Sequence, residues 1–174
     1  YQFYPAVMHS AARLTYNEVA EILGNTNGPE AQRRPGIVPH LLNLNEVFRA
    51  LLKARQERGA IDFETTETYI VCNAVGKIEK IIPRTRNDAH RLIEECMLAA
   101  NVCAADLLIR HKHPGTFRIH AVPTEEKLLQ LRTFLKLVGL NLGGGTKPSA
   151  RDYAEVMQKI KERPDAGLLQ TMLL

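Results

Sequence analysis

Apolar and polar positions change rhythm several times along the chain. From Thr85 to Lys112 the run TRNDAHRLIEECMLAANVCAADLLIRHK contains no Gly or Pro. Within it Ala89, Leu92, Ile93, Cys96, Ala100, Cys103 and Leu107 recur at helical spacing. Leu98 and Val102 fall on the other side, which predicts a long central helix, apolar on more than one face and hence largely buried. Thr15-Tyr16-Asn17-Glu18 is a capping box opening a short helix on Val19, Ala20, Ile22 and Leu23, stopped by Gly24. A polar loop (24–36) leads to a second helix from Val38 to Arg58, with Leu41, Leu44, Phe48, Leu51 and Leu52 on one face and Gly59 at its end. Alternation with period two marks AIDFET (60–65), TYIVC (68–72) and KIEKII (77–82), with a turn at Gly76 and an end at Pro83. YPAVMHSAAR (4–13) and GTFRIHAVP (115–123) also read as strands. Thr124 caps a further helix, Gly143-Gly144-Gly145 is a loop, Ser149 opens a helix through Ile160, and an apolar helix follows Pro164. The expected fold class is mixed α/β (α+β): a long central helix and flanking helices packed on a small antiparallel sheet.

The central helix carries two adjacent carboxylates, Glu94 and Glu95, among Leu92, Ile93, Cys96 and Met97. A carboxylate held among apolar groups must be paired, hydrogen-bonded or used. Asn87, Glu94 and Asn101 are seven apart and share a line away from the main stripe, whereas an ordinary pairing of Glu94 with Arg91 or His90 is the plainer alternative. Composition adds little to this picture. A net charge of +4 fits a polyanionic partner without requiring one. Cys72, Cys96 and Cys103 lack metal-ligand spacing and are expected reduced, buried and cytosolic. No apolar run reaches the ~18 residues of a membrane span. Both termini cut into predicted elements, which suggests an internal fragment with both ends truncated.

Several chemical motifs fail on their own terms. Asp62-Phe63-Glu64-Thr65-Thr66 resembles the first metal-binding motif of DnaQ-like exonucleases. That chemistry needs a further Asp five residues after a His or four after a Tyr, and no His or Tyr here is so followed. The Gly143-Gly144-Gly145-Thr146-Lys147 stretch places Thr between the last Gly and the Lys, follows a helix and precedes Pro148, so it is no phosphate loop. His111-Lys112-His113 lacks a partner ligand pair. The five aspartates, Asp62, Asp88, Asp106, Asp152 and Asp165, are scattered, whereas a two-metal phosphodiesterase centre draws on clustered carboxylates.

Asn87 to Asn101 (NDAHRLIEECMLAAN) resembles the RNB catalytic domain of the ribonuclease II and ribonuclease R family, and HSAARLTYNEV (9–19), RGAIDFETTE (58–67), FRIHAVP (117–123), GLNLGGGTKP (139–148) and RPDAGLLQTMLL (163–174) follow in the family's order. The likeness covers essentially all 174 residues. It is nearer the bacterial ribonuclease R branch, because GGGTKPSARDYAEV and LLQTMLL are less typical of ribonuclease II. The resemblance implies processive 3′→5′ hydrolysis of single-stranded RNA to nucleoside 5′-monophosphates with Mg²⁺, in the cytoplasm. RNA would reach the domain through OB-fold domains of the same polypeptide. The family's catalytic aspartate cluster lies N-terminal to this stretch and its Ser-Pro-Ile-Arg-Arg motif C-terminal. The chain is thus expected to be the middle of the catalytic domain, with no catalytic or metal-binding residue of its own and no activity alone. Three RNA-binding roles carry over by resemblance: Tyr16 near the ribose of the bound strand, Glu94 as the acceptor that reads a 2′-OH, and Phe63 stacking on the terminal base. Arg91 would support Glu94 or a phosphate. The rival reading is a non-catalytic RNA-binding or scaffolding paralogue. Apolar faces left bare on such a fragment would be covered by a dimer.

Overall fold

The computed structural model describes residues 1–63 and 67–173. These contain seven helices and two strands: α1 (Tyr16–Gly24), α2 (Pro29–Arg33), α3 (Val38–Glu57), β1 (Glu67–Cys72), β2 (Ile78–Arg84), α4 (Asp88–Arg110), α5 (Glu125–Leu137), α6 (Ala150–Ile160) and α7 (Ala166–Leu173). The mixed α/β class is the expected one. The chain divides into two compact units, Tyr1–Leu52 with Thr85–Phe117, and Lys53–Arg84 with Arg118–Leu174.

In the first unit α1 packs on α2 and on α4. Its core gathers Ile22, Ala31 and Leu41, with Leu14, Val19 and Ile37 packed around them. From α4 only Ala89, Leu92 and Glu95 are buried. This corrects the expectation of a largely buried central helix: Met97, Leu98 and Val102 are 58%, 46% and 69% exposed. Asn87 caps α4, its side chain accepting from His90 N–H (3.2 Å). The helix therefore begins at Asp88, and Thr85 and Arg86 lie outside it. It ends without glycine. Lys112 takes φ +52°, its N–H donates to Ile109 O (3.0 Å), and His113 N–H donates to Leu108 O (2.9 Å). That is a Schellman motif with lysine in the left-handed position.

The second unit is built round α5, α6 and α7. Tyr153, Val156, Met157 and Ile160 recur at helical spacing on α6, and the last three are buried with Leu128, Leu135 and Leu169. β1 and β2 form a two-stranded antiparallel hairpin in which Tyr69 faces Ile82 and Val71 faces Lys80. Its turn is organised by Asn73, whose side-chain oxygen accepts from Val75 N–H (3.1 Å) and Lys77 N–H (3.0 Å), and by Gly76 at φ +78°. Nearly every hairpin residue is exposed, so the helices do not cover this sheet as expected. Pro83 lies within β2, opposite Thr68, rather than ending it; in a two-stranded sheet its missing donor costs nothing when that edge faces solvent.

Three other predicted strands are not found in the described residues. The stretches 4–13, 60–63 and 115–123 take no regular secondary structure, and residues 64–66 lie outside the described set. Alternation states which way side chains point but supplies no partner strand, and Val7 and Ile119 are 103% and 89% exposed. The three cysteines are free thiols, but none is buried and Cys72 is exposed, contrary to expectation. Among the described residues no helix is long and apolar enough to cross a membrane.

Candidate nucleic-acid interface

Tyr16 is placed by the capping box that starts α1. Thr15 N–H donates to the Glu18 carboxylate (2.6 Å), and the Thr15 hydroxyl accepts from Glu18 N–H (3.3 Å). The Thr15 backbone bond first, and its side chain second, hold the Glu18 carboxyl below the ordinary range. Arg34 joins the same corner, donating to Glu18 (3.2 Å) and to Arg13 O (2.9 Å). The Tyr16 ring, 39% exposed, lies almost parallel to His90, with centroids 4.0 Å apart and planes 17° off. His90 is the third residue of α4 and part of its cap, with Asn87 N–H 3.3 Å from Nδ1. The starts of two helices therefore meet through this stack. Each carries the positive end of a helix dipole, an environment that favours anions.

Glu94 lies one turn beyond His90, and residues four apart are neighbours on a helix face. Tyr16 thus stacks on the residue one turn before Glu94. Glu94 keeps 42% of its side chain exposed, whereas Glu95 is 5% exposed and is the one charged residue among the buried ones described. The two adjacent carboxylates are split between surface and interior. The arginine that holds Glu94 is not the expected one. Arg91 donates to Asp88 (3.4 Å). Glu94 is instead held by Arg86, whose Nε lies 2.9 Å from Oε1 and 3.1 Å from Oε2 while a terminal nitrogen also donates to Oε2. Sequence reasoning missed this because it ran the helix back to Thr85, where Arg86 would point away. Asn87 is the cap of α4, its side-chain oxygen turned to His90 N–H. The available signal was Asn87 as a preferred cap residue, which puts Arg86 just outside the helix.

Phe63 belongs to the second unit. It is half-buried and packs with Ile61 against the core of α5 to α7. Arg55 ties the segment down, pairing with Asp62 (3.6 Å) and donating to Ile61 O (3.4 Å). The Glu64 and Thr65 that followed Asp62 in the exonuclease-like run lie outside the described residues. Two surface hollows of the first unit, one bordered by Arg34 and His40 and one by Asn45 and Asp88, are lined by neither Tyr16 nor Glu94.

Among the described residues no group of three His, Cys, Asp or Glu side chains could hold a metal ion. The aspartates show why, since each is engaged locally. Asp62 pairs with Arg55, Asp88 with Arg91, Asp106 with Tyr1 and Arg110, Asp152 with Ser149, and Asp165 with Arg163. The corner where α1 meets α4 thus gathers an aromatic ring, a half-exposed carboxylate and two helix starts.

The family model of the RNB domain matches residues 1–174. Ribonuclease R of Vibrio cholerae is 51% identical over 176 residues, covering 100% of this chain and 21% of that protein. Ribonuclease R of Escherichia coli is 48% identical over 174 residues, again covering 100% of this chain and 21% of the relative. The chain therefore spans about a fifth of the length of these relatives. Among solved structures, Mycoplasma genitalium RNase R in complex with ribose methylated single-stranded RNA superposes with a TM-score of 0.79 at 24% identity, covering 91% of this chain and 25% of that one. The same enzyme in complex with double-stranded RNA gives 0.75 at 25% identity over 91% of this chain and 28% of that chain.

Proposed function

The chain belongs to the RNB family, and on that footing we propose that it is the middle of the catalytic domain of a processive 3′→5′ exoribonuclease of the ribonuclease R kind. The intact enzyme trims single-stranded and 3′-tailed RNA to nucleoside 5′-monophosphates in the cytoplasm, with OB-fold domains of the same polypeptide delivering the strand. The share of this stretch is binding and sugar discrimination. The Mg²⁺ expected for hydrolysis has no fitting ligand set among the described residues and belongs to other parts of the polypeptide.

The observation that carries this reading is the grouping of Tyr16, His90 and Glu94 at the meeting of α1 and α4. Tyr16 offers a ring face beside the strand's ribose, and Glu94 accepts a hydrogen bond from a 2′-OH, the group that separates RNA from DNA. A bond from a hydroxyl to a carboxylate is worth about 1.5–3 kcal/mol, or roughly 10- to 160-fold in preference. Phe63 is the base-stacking candidate, and stacking contributes about 1–3 kcal/mol per base.

Two measurements test the proposal. In the full-length enzyme Glu94→Ala lowers the ratio of RNA to DNA cleavage by about tenfold or more; an unchanged ratio removes the role given to Glu94. The 174-residue stretch alone, supplied with Mg²⁺ and a 3′-tailed RNA, releases no monophosphate. Robust release would overturn the division of labour.

A further inference from the structure

We propose that Arg86 is the positioning residue for sugar discrimination: it fixes the Glu94 carboxylate in the orientation that receives a 2′-OH. The inference rests on the role proposed above for Glu94.

Glu94 is flanked on its own helix by His90 and Arg91 one turn back and by Met97 and Leu98 one turn on. Arg91 donates to Asp88, and His90 lies against Tyr16 with its Nδ1 beside Asn87. Met97 and Leu98 offer no charge. The orienting charge comes instead from outside the helix, from a residue eight positions earlier. Arg86 Nε spans both carboxylate oxygens at 2.9 and 3.1 Å, and a terminal nitrogen closes on Oε2. A planar guanidinium laid along a carboxylate edge fixes both the plane and the rotation of the acceptor, which a lysine ammonium does not do. Glu94 is 42% exposed, and without such a fork a glutamate of that exposure would sample several rotamers. An ionised carboxylate has about four acceptor directions, so an edge-on fork and an incoming hydroxyl are compatible.

The anchor of Arg86 is equally fixed. It immediately precedes Asn87, whose cap on His90 N–H (3.2 Å) sets the backbone at the start of α4. The same cap residue holds His90 beneath Tyr16. One local structure thus places both halves of the sugar-side contact, but through different side chains. Removing the Arg86 side chain loosens Glu94 and leaves the Tyr16–His90 stack in place. Sensitivity to the 2′-OH should therefore change separately from general affinity for a strand.

The test uses the full-length enzyme and two substrates, an all-RNA strand and the same strand with single 2′-deoxy nucleotides near its 3′ end. The quantity read is the ratio of kcat/KM between them, for the wild type, Arg86→Ala, Arg86→Lys, Glu94→Ala and the Arg86→Ala/Glu94→Ala double variant. Arg86→Ala is expected to lower the all-RNA preference by about tenfold, with the loss falling mainly on kcat/KM for the all-RNA strand. Arg86→Lys, which keeps the charge without the fork, falls between wild type and Glu94→Ala. The double variant falls no further than Glu94→Ala alone. A wild-type ratio in Arg86→Ala beside a lowered ratio in Glu94→Ala overturns this inference and leaves the reading of Glu94 standing. An unchanged ratio in Glu94→Ala overturns that reading and this inference with it. If Arg86→Ala does not fold, Arg86→Lys decides alone, and a wild-type ratio there overturns the proposal.

Discussion

Gly59 is a position in the second unit where one added methyl should cost far more than at its twin, Gly139, and the pair isolates the reason. Both end a helix in the same way. After α3, Gly59 N–H donates to Gln56 O (2.9 Å) and Ala60 N–H to Arg55 O (3.2 Å). After α5, Gly139 N–H donates to Lys136 O (3.1 Å) and Leu140 N–H to Leu135 O (2.8 Å). Each glycine sits at φ +75° in a Schellman motif. Alanine at either site incurs the left-handed penalty of about 1–2 kcal/mol. At Gly139 nothing lies within 4 Å of the new Cβ, so that penalty is the whole effect. At Gly59 the Cβ would meet Arg151 Cβ at 2.9 Å and Arg151 Cα at 3.1 Å. These atoms lie at the start of α6 and cannot swing aside, so overpacking adds about 1–3 kcal/mol. Gly59→Ala should then destabilise the unit by about 2–5 kcal/mol. Amide hydrogen exchange in the full-length protein reads this directly, in peptides covering Leu128–Leu135 and Val156–Ile160. Exchange there should quicken roughly 30-fold or more in Gly59→Ala, and by at most about 30-fold in Gly139→Ala. Arg151→Ala should not relieve the Gly59 variant, because the opposing atoms remain. Equal effects at the two glycines, or rescue by Arg151→Ala, would refute the steric argument.

Three further outcomes follow from the same structure. Lys112→Gly should stabilise the last turn of α4 by about 0.5–1 kcal/mol by removing strain at φ +52°, while Lys112→Ala gains nothing; slower exchange of the amides near His113 checks it. Leu135→Ala, at 0% exposure, should cost about 2–5 kcal/mol, whereas Leu129→Ala, at 67% exposure, should cost almost nothing by the same assay. The Ser149 hydroxyl, then its N–H, hold the Asp152 carboxyl below its ordinary range. Because the folded value is the lower one, the stabilisation is complete above the ordinary carboxylate pKa of about 4 and is lost as pH falls through the folded value. Asp152→Asn should therefore flatten the acid limb of the second unit's stability profile, and an unaltered limb would remove those bonds from the account.

Elements specified by neighbours in sequence were legible; those specified by distant partners were not. The boxes at Thr15 to Glu18 and Ser149 to Asp152, and the stops at Gly24 and Gly59, each lie within a few residues and appear where the residues indicate. The end of α4 was harder to read, because Lys112 does there what glycine usually does. Alternation at 4–13 and 115–123 was genuine but carries no information about a partner. Among the described residues only Glu67–Cys72 and Ile78–Arg84 have one, supplied through the Asn73 turn. The burial of α4 was overread for a related reason: periodicity shows which side is apolar, not whether anything covers it, and Met97 and Val102 stay exposed.

The same limit governs the candidate interface. Adjacent helical residues differ by about 100°, so Glu94 and Glu95 could not share a face, and the resemblance singled out Glu94. Spacing could not identify what holds Glu94, since the search stayed on the helix while Arg86 reaches in from before its cap. A rung on the same helix would break and reform as the helix frays. A guanidinium anchored by the Asn87 cap moves with the helix start that also carries His90 and its stacked Tyr16. Orientation of the carboxylate and position of the aromatic face thus depend on one local structure, the first turn of α4. A change at Asn87 should for that reason disturb both contacts together, where a change at Arg86 disturbs only one.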